Sequence, residues 1–353
     1  MSELVRPATA GDPIVTRQAS LVNRLLAVLM ATLAPAVWTA TARAQTEPLA
    51  LRKGDRLVLV GNTLAERMQH FNHFETLLMT GHPELELVVR NLGWSADTIT
   101  LQPRPLNFGD TATHLERQQA DVILAFFGLN ESFAGEAGLP AFERDLEAYV
   151  RTHLATKYNG RGAPRLALVS PVAHERLARL PRVDVDGRNR QLQRYTAAMR
   201  RVAAATGVTF VDLWAPTLRG MAESARPLTI NGIHLNEEGD RVVAGLLAEG
   251  LGWPARGWRD ARPAERQQLD ELREVIRDKN QQFFYRWRPV NAEYIVGRRV
   301  EPFGSVNFPG EMKKLDAMVS ERDRRIWAAA AALRGVRYPQ EGATASASTG
   351  SSR

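Results

Sequence analysis

The chain has 353 residues, of which 44% are hydrophobic and 24% charged, and its formal charge is +7. This is a globular composition with material for a sizeable core, enough for one large domain or one domain with an appendage. Cysteine is absent, which excludes disulfides and cysteine-linked lipid, and the Arg residues are too scattered to form a dedicated nucleic-acid surface.

The N-terminus reads as an export signal. Arg17 and Arg24 precede an apolar stretch from Leu25 to about Ala40, and Ala42-Arg43-Ala44 gives a small-x-small cleavage pattern before Gln45. Pro35 interrupts the stretch, which is too short for a comfortable span, so an uncleaved anchor is the lesser alternative. Residues 1–44 are therefore expected to be removed, leaving no stable membrane span, a mature chain in the periplasm or medium, and a formal charge of +5 once four Arg and two acids are lost.

From Arg52 to Gly250 strand-like and helix-like segments alternate. Apolar runs at Arg56–Val60, Leu85–Arg90, Asp121–Phe127, Arg165–Ser170 and Val208–Leu213 predict strands. Helical spacing predicts helices over Leu64–Thr80, Thr113–Gln119, Pro140–Tyr158, Asn189–Thr206 and Glu237–Leu251. The alternation implies an α/β fold with a mostly parallel sheet covered on both faces, whose site lies at the carboxyl ends of the strands.

Beyond Trp253 the pattern changes to two long helices, Arg262–Asn280 and Glu311 to about Leu333, flanking the aromatic and basic segment Phe283–Pro289. The aromatics are expected to pack this appendage onto the main domain, with a sugar-binding surface as the rival reading. The division is thus 45–252 for the α/β domain, 253–340 for the helical appendage and 341–353, rich in Ala, Ser, Thr and Gly, for a disordered tail.

Four loops carry polar residues with chemical possibilities. The first strand stops at Gly61 and turns at Asn62-Thr63 into a helix, where a side chain sits beside N–H groups that favour negative charge. Thr63-Leu-Ala-Glu66 also has the form of a capping box, in which the hydroxyl only satisfies a backbone N–H. The other loops contain Asn91-Leu-Gly93-Trp94-Ser95, Gly128-Leu-Asn130-Glu131-Ser132 and Asn231-Gly-Ile-His234-Leu-Asn236. His234 stands just before a helix start with acids in its first turn.

Taken in this order, the four loops make the segment from about Arg52 to Gly250 resemble the SGNH (GDSL-type) hydrolase superfamily. The resemblance implies a three-layer α/β/α sandwich, flavodoxin-like in its sheet, and hydrolysis of an ester with no cofactor or metal. It implies that Thr63 is the nucleophile and His234 the general base, with Gly93 and the Asn130 side chain forming the oxyanion hole. Asn231 falls where the family places an acid. Two residues depart from the pattern: Thr63 replaces Ser and Asn231 replaces Asp. Threonine keeps a hydroxyl but adds a crowding methyl. Asparagine cannot stabilise an imidazolium, and its amide favours the wrong histidine tautomer.

The implied substrate is a small-molecule or carbohydrate ester, with an acyl group on envelope or extracellular carbohydrate in view. The alternative is a degraded pseudoenzyme that binds glycan. Ser95, Ser132 and Ser170 rank below Thr63 as nucleophiles. Glu66, His70 and His73 share one helical face, read as solvated rather than metal-binding. Glu75 falls amid the apolar face and is expected to reach an Arg, with Arg90 the candidate.

Overall fold

Five short runs become strands β1 Arg56–Gly61, β2 Val88–Asn91, β3 Val122–Phe126, β4 Arg165–Val169 and β5 Thr209–Val211 in the computed structural model. It describes residues 48–253, 257–258, 261–289, 297–302 and 304–333; the expected export signal and tail lie outside these. All strand pairs are parallel, in the order β2-β1-β3-β4-β5. Each central strand is apolar on both faces because both faces are covered. Leu57 and Leu59 of β1 pack into one core with Leu124 and Phe126, while Val58 and Val60 pack into the other with Ile123 and Ala125.

The helices are α1 Thr63–Phe71, α2 His73–Gly81, α3 Thr111–Gln118, α4 Leu139–Ala155, α5 Val185–Thr206, α6 Trp214–Glu223 and α7 Glu237–Gly250. Phe74, Leu77 and Leu78 of α2 share the first core with Val243, Ala244 and Leu247 of α7. Leu115 of α3, Leu146 of α4 and Met199 of α5 fill the second. The helix expected over Leu64–Thr80 is broken at Asn72, which adopts φ +63° and donates its amide to Gln69 O. Asparagine tolerates this left-handed conformation, and Asn280 holds the side chain at 2.7 Å. Helix α6 was not anticipated, since its apolar spacing is short and carries Pro216.

Two further helices, α8 Pro263–Trp287 and α9 Phe308–Leu333, close the β2 edge of the sheet. A bare edge would leave carbonyls without partners. Here Lys279 Nζ donates to Val89 O at 3.1 Å and Trp327 Nε1 to Leu87 O at 2.8 Å. Leu269, Leu272 and Ile276 of α8, with Ile326 of α9, extend the first core; Phe283, Trp287 and Val319 extend the second. The aromatic segment therefore continues α8, with Phe283 and Trp287 buried against the α/β layers and Tyr285 exposed.

Glu75 does not pair with Arg90. Its Oε1 lies 2.7 Å from Lys279 Nζ and its Oε2 accepts from Asn280, whereas Arg90 forms a two-pronged bond to Asp323 at 3.0 and 2.5 Å. Lys279 is fully buried, and burial pulls its ammonium below the usual lysine range while Glu75 opposes this.

Burial lowers both His114 and His153 to about 4. Each is neutral in the fold at pH 6, while the unfolded chain would take a proton near 6.5. Stability is therefore fully present above about pH 7 and declines as pH falls from about 6.5 to 4. The two histidines together account for roughly 3–5 kcal/mol of that loss after solvent screening. Urea midpoints at pH 7.5 and 4.5 should show this drop, and His153→Gln should reduce it.

Candidate active site

The carboxyl end of β1 delivers Thr63. Gly61 takes φ +119°, and a Cβ there would lie 2.1 Å from Phe126 O, so only glycine lets β1 turn this closely past β3. Asn62, not Thr63, caps α1: its Oδ1 accepts from Leu64 N at 3.1 Å. The expected capping box does not form, because the Glu66 carboxylate is taken by Ser95 and Arg288. The cap duty that would have occupied the Thr63 hydroxyl has passed to its neighbour. Among the described residues that hydroxyl makes no hydrogen bond.

The loop carrying His234 is anchored by a residue that no motif announced. The buried Glu175 carboxylate accepts from Leu228 N and Thr229 N, both at 2.8 Å, and from the Thr229 hydroxyl. Its position five residues past Ser170, on the stretch leaving β4, was the available signal. Asn236 then caps α7 by accepting from Gly239 N at 2.9 Å. Between these anchors Asn231 Oδ1 accepts from Ile233 N at 3.2 Å and His234 N at 2.9 Å. Both backbone donors fix which end of the amide is oxygen. The Asn231 amide nitrogen therefore faces His234 Nδ1 at 3.2 Å.

That contact has a chemical consequence. An amide NH₂ only donates, so His234 Nδ1 accepts, and the neutral ring carries its proton on Nε2. A ring protonated on Nε2 cannot take a proton at that atom. Burial, and then the charge of Arg67, hold His234 below the usual imidazole value. The ring is thus neutral at pH 7, uncharged but in the tautomer unsuited to a base.

Thr63 and His234 line one pocket with Arg67, Phe71, Phe127 and Leu129. No hydrogen bond joins the two. Gly93 and Asn130 lie outside the pocket's lining. Gly93 backs onto α1, where an added Cβ would be 2.4 Å from Glu66 N, and its N–H donates to Asn91 Oδ1 at 2.8 Å. Asn130 donates one amide proton to Asp97 O at 2.9 Å, which leaves it a second. The Ser95, Ser132 and Ser170 hydroxyls are spent on Glu66, Leu129 O and Pro171 O respectively.

The expected solvated face of α1 is also divided. His70 is exposed, but the break at Asn72 turns the buried His73 onto Asp240, 2.9 Å away. No cluster with metal-binding composition occurs among the described residues. Beside the loop of Gly93, the Trp94 ring lies between Arg288 at 3.8 Å and Arg104 at 4.3 Å. Arg104 in turn bonds Asp97, so α8 and this loop are locked together.

Residues 69–242 match the sequence profile of the GDSL-like lipase/acylhydrolase family. The chain belongs to the SGNH (GDSL-type) hydrolase superfamily. The family is one of ester-acting hydrolases, and its matched segment includes Asn231 and His234 but begins after Thr63. Among solved structures, a gut microbial diltiazem-metabolizing enzyme aligns with a TM-score of 0.54 at 12% identity, covering 82% of this chain and 96% of that one. An acetylxylan esterase from Geobacillus stearothermophilus aligns at 0.45 and 17% identity, covering 59% and 99%. A putative GDSL-like lipase from Parabacteroides merdae aligns at 0.46 and 15%, covering 58% and 99%. These likenesses concern the fold. A comparison with curated proteins finds no match.

Proposed function

We propose that the chain is an ester hydrolase of SGNH type that uses Thr63 as nucleophile and turns over slowly because Asn231 holds His234 in the wrong tautomer. The observation that carries this reading is the shared pocket, in which an uncommitted hydroxyl and an imidazole meet at the strand ends. In the reaction, Thr63 Oγ1 bonds to the ester carbonyl carbon and its proton passes to His234 Nε2. The C–O bond to the alcohol then breaks, and the alcohol leaves with that proton. Water then gives a proton to the same nitrogen and attacks the acyl-threonine; the carbonyl bond to Oγ1 breaks, Oγ1 takes that proton back, and the acid is released. The step requires the minor ring tautomer, which is why turnover is slow.

The oxyanion would rest on N–H groups at the start of α1, joined by the free Asn130 amide proton and by the Gly93 N–H once it leaves Asn91. The alternative, a glycan-binding pseudoenzyme, is favoured by those same partners and by the histidine tautomer. A fluorophosphonate probe separates the two: Thr63-dependent labelling supports the enzyme, and no labelling of folded protein supports the binder.

The acid limb of kcat/KM should fall below pH 6.5, the ordinary imidazole value, because burial and Arg67 disfavour the imidazolium. Activity is present while the ring is neutral and is lost as pH falls through its lowered pKa. Substituting Arg67→Gln should move that limb upward.

Export is part of the proposal, and an acyl group on extracytoplasmic carbohydrate is the substrate class that goes with it. Mass spectrometry of the protein from its native host should find Gln45 at the N-terminus. A full-length cytoplasmic chain would overturn this.

A further inference from the structure

We infer that the ester taken by this pocket carries an anionic group, and that Arg67 binds it. The inference rests on the reading of the pocket as an ester site. Arg67 follows Thr63 by four residues on α1, so the two side chains lie one above the other and both line the pocket.

Its guanidinium is poorly used by the protein. Nη2 reaches Leu235 O only at 3.4 Å, and Nε is buried without a hydrogen-bond partner. Among the described residues no carboxylate pairs with it. Glu66, the neighbour in sequence, is held by Arg288 and Ser95. Asp240, the one acid in the pocket lining, is bonded to His73 at 2.9 Å. At position 231, where the family has its acid, stands neutral Asn.

The polar wall is thus a guanidinium, an imidazole, an amide and two hydroxyls beside the positive end of a helix, with its one carboxylate, Asp240, bonded to His73. A buried donor without a partner costs free energy that a ligand acceptor recovers. The guanidinium fork fits carboxylate, sulfate or phosphate, each of which offers paired oxygens. Phe126, Phe127 and Val172 give the same pocket an apolar floor, suited to the carbon chain joining that anion to the ester.

The test compares matched esters. On the acyl side, 4-nitrophenyl hemisuccinate is set against 4-nitrophenyl butyrate; on the alcohol side, 3-acetoxybenzoate against 3-acetoxybenzamide. Rates are corrected for uncatalysed hydrolysis. In the native chain one anionic ester should exceed its neutral partner by about tenfold or more in kcat/KM, the scale of one charge-assisted hydrogen bond. The favoured pair identifies which half of the ester carries the charge. Arg67→Gln should bring that ratio to within about twofold of unity and Arg67→Lys should keep part of it, since lysine retains charge without the fork.

A native ratio near one for both pairs, or a ratio unchanged in Arg67→Gln, overturns the inference. If no ester is turned over, the esterase reading fails alone, and succinate titration followed at the His234 ring resonances decides this point. A saturable shift in the native chain that is absent in Arg67→Gln supports the anion site, and no saturable shift in the native chain removes it. That native titration also decides should Arg67→Gln fail to fold.

Discussion

Replacing Thr63 by Ser and Asn231 by Asp together should raise kcat/KM for an activated acetate ester by about a thousandfold or more. The larger part belongs to Asn231→Asp. Its amide nitrogen faces His234 Nδ1 at 3.2 Å, and a carboxylate there would accept the ring proton and leave Nε2 free as base. In trypsin the reverse change costs about 10⁴-fold through the same tautomer error. Thr63→Ser removes a methyl that crowds the carbonyl and restricts χ1, an effect of about tenfold. Both act through His234, so they should not add independently. Initial rates of the double variant, with Thr63→Ala and His234→Ala as the floor, provide the measurement. A folded double variant no faster than the Ala variants would mean that this pocket does not hydrolyse esters.

Lys279→Ala should destabilise the protein by about 3–5 kcal/mol, because it leaves the Glu75 carboxylate buried without its cation. It also removes the donor to Val89 O on the β2 edge. Adding Glu75→Gln to a Lys279→Met chain should recover much of the loss, since both charges then leave the interior together. Guanidinium melts of the native, Lys279→Met, Glu75→Gln and doubly substituted chains give the cycle directly. A loss under about 1 kcal/mol in Lys279→Ala would show that the α8–α9 pair docks through its apolar contacts alone.

These two predictions fall on either side of what the sequence makes legible. Strands such as Leu57-Val-Leu-Val60 are readable because burial on both faces leaves an unbroken apolar run. The loop of Asn231 and His234 is readable because its polar residues have few other uses between a buried segment and a helix cap. Long-range choices are not readable. Glu75 could be seen to need a cation, but choosing Lys279 over Arg90 depends on α8 crossing the β2 edge some 200 residues later.

The cap at Asn62 was hidden by a better-looking box at Thr63, and only the claims of Ser95 and Arg288 on Glu66 decide between them. The break at Asn72 was masked by apolar spacing that runs on through it. Arg67 has no motif at all; its place is set by the turn of α1, and the acid in the same lining, Asp240, is held by His73.

His234 shares the pocket of the candidate nucleophile in a tautomer fixed by Asn231. ¹⁵N-edited NMR of the imidazole in the native chain at pH 8 tests it most directly. The native ring should show a bare, pyridine-like Nδ1 and a protonated, pyrrole-like Nε2, with the two exchanged in Asn231→Asp. A native ring already protonated on Nδ1 would contradict it, and the slow turnover would then need another cause.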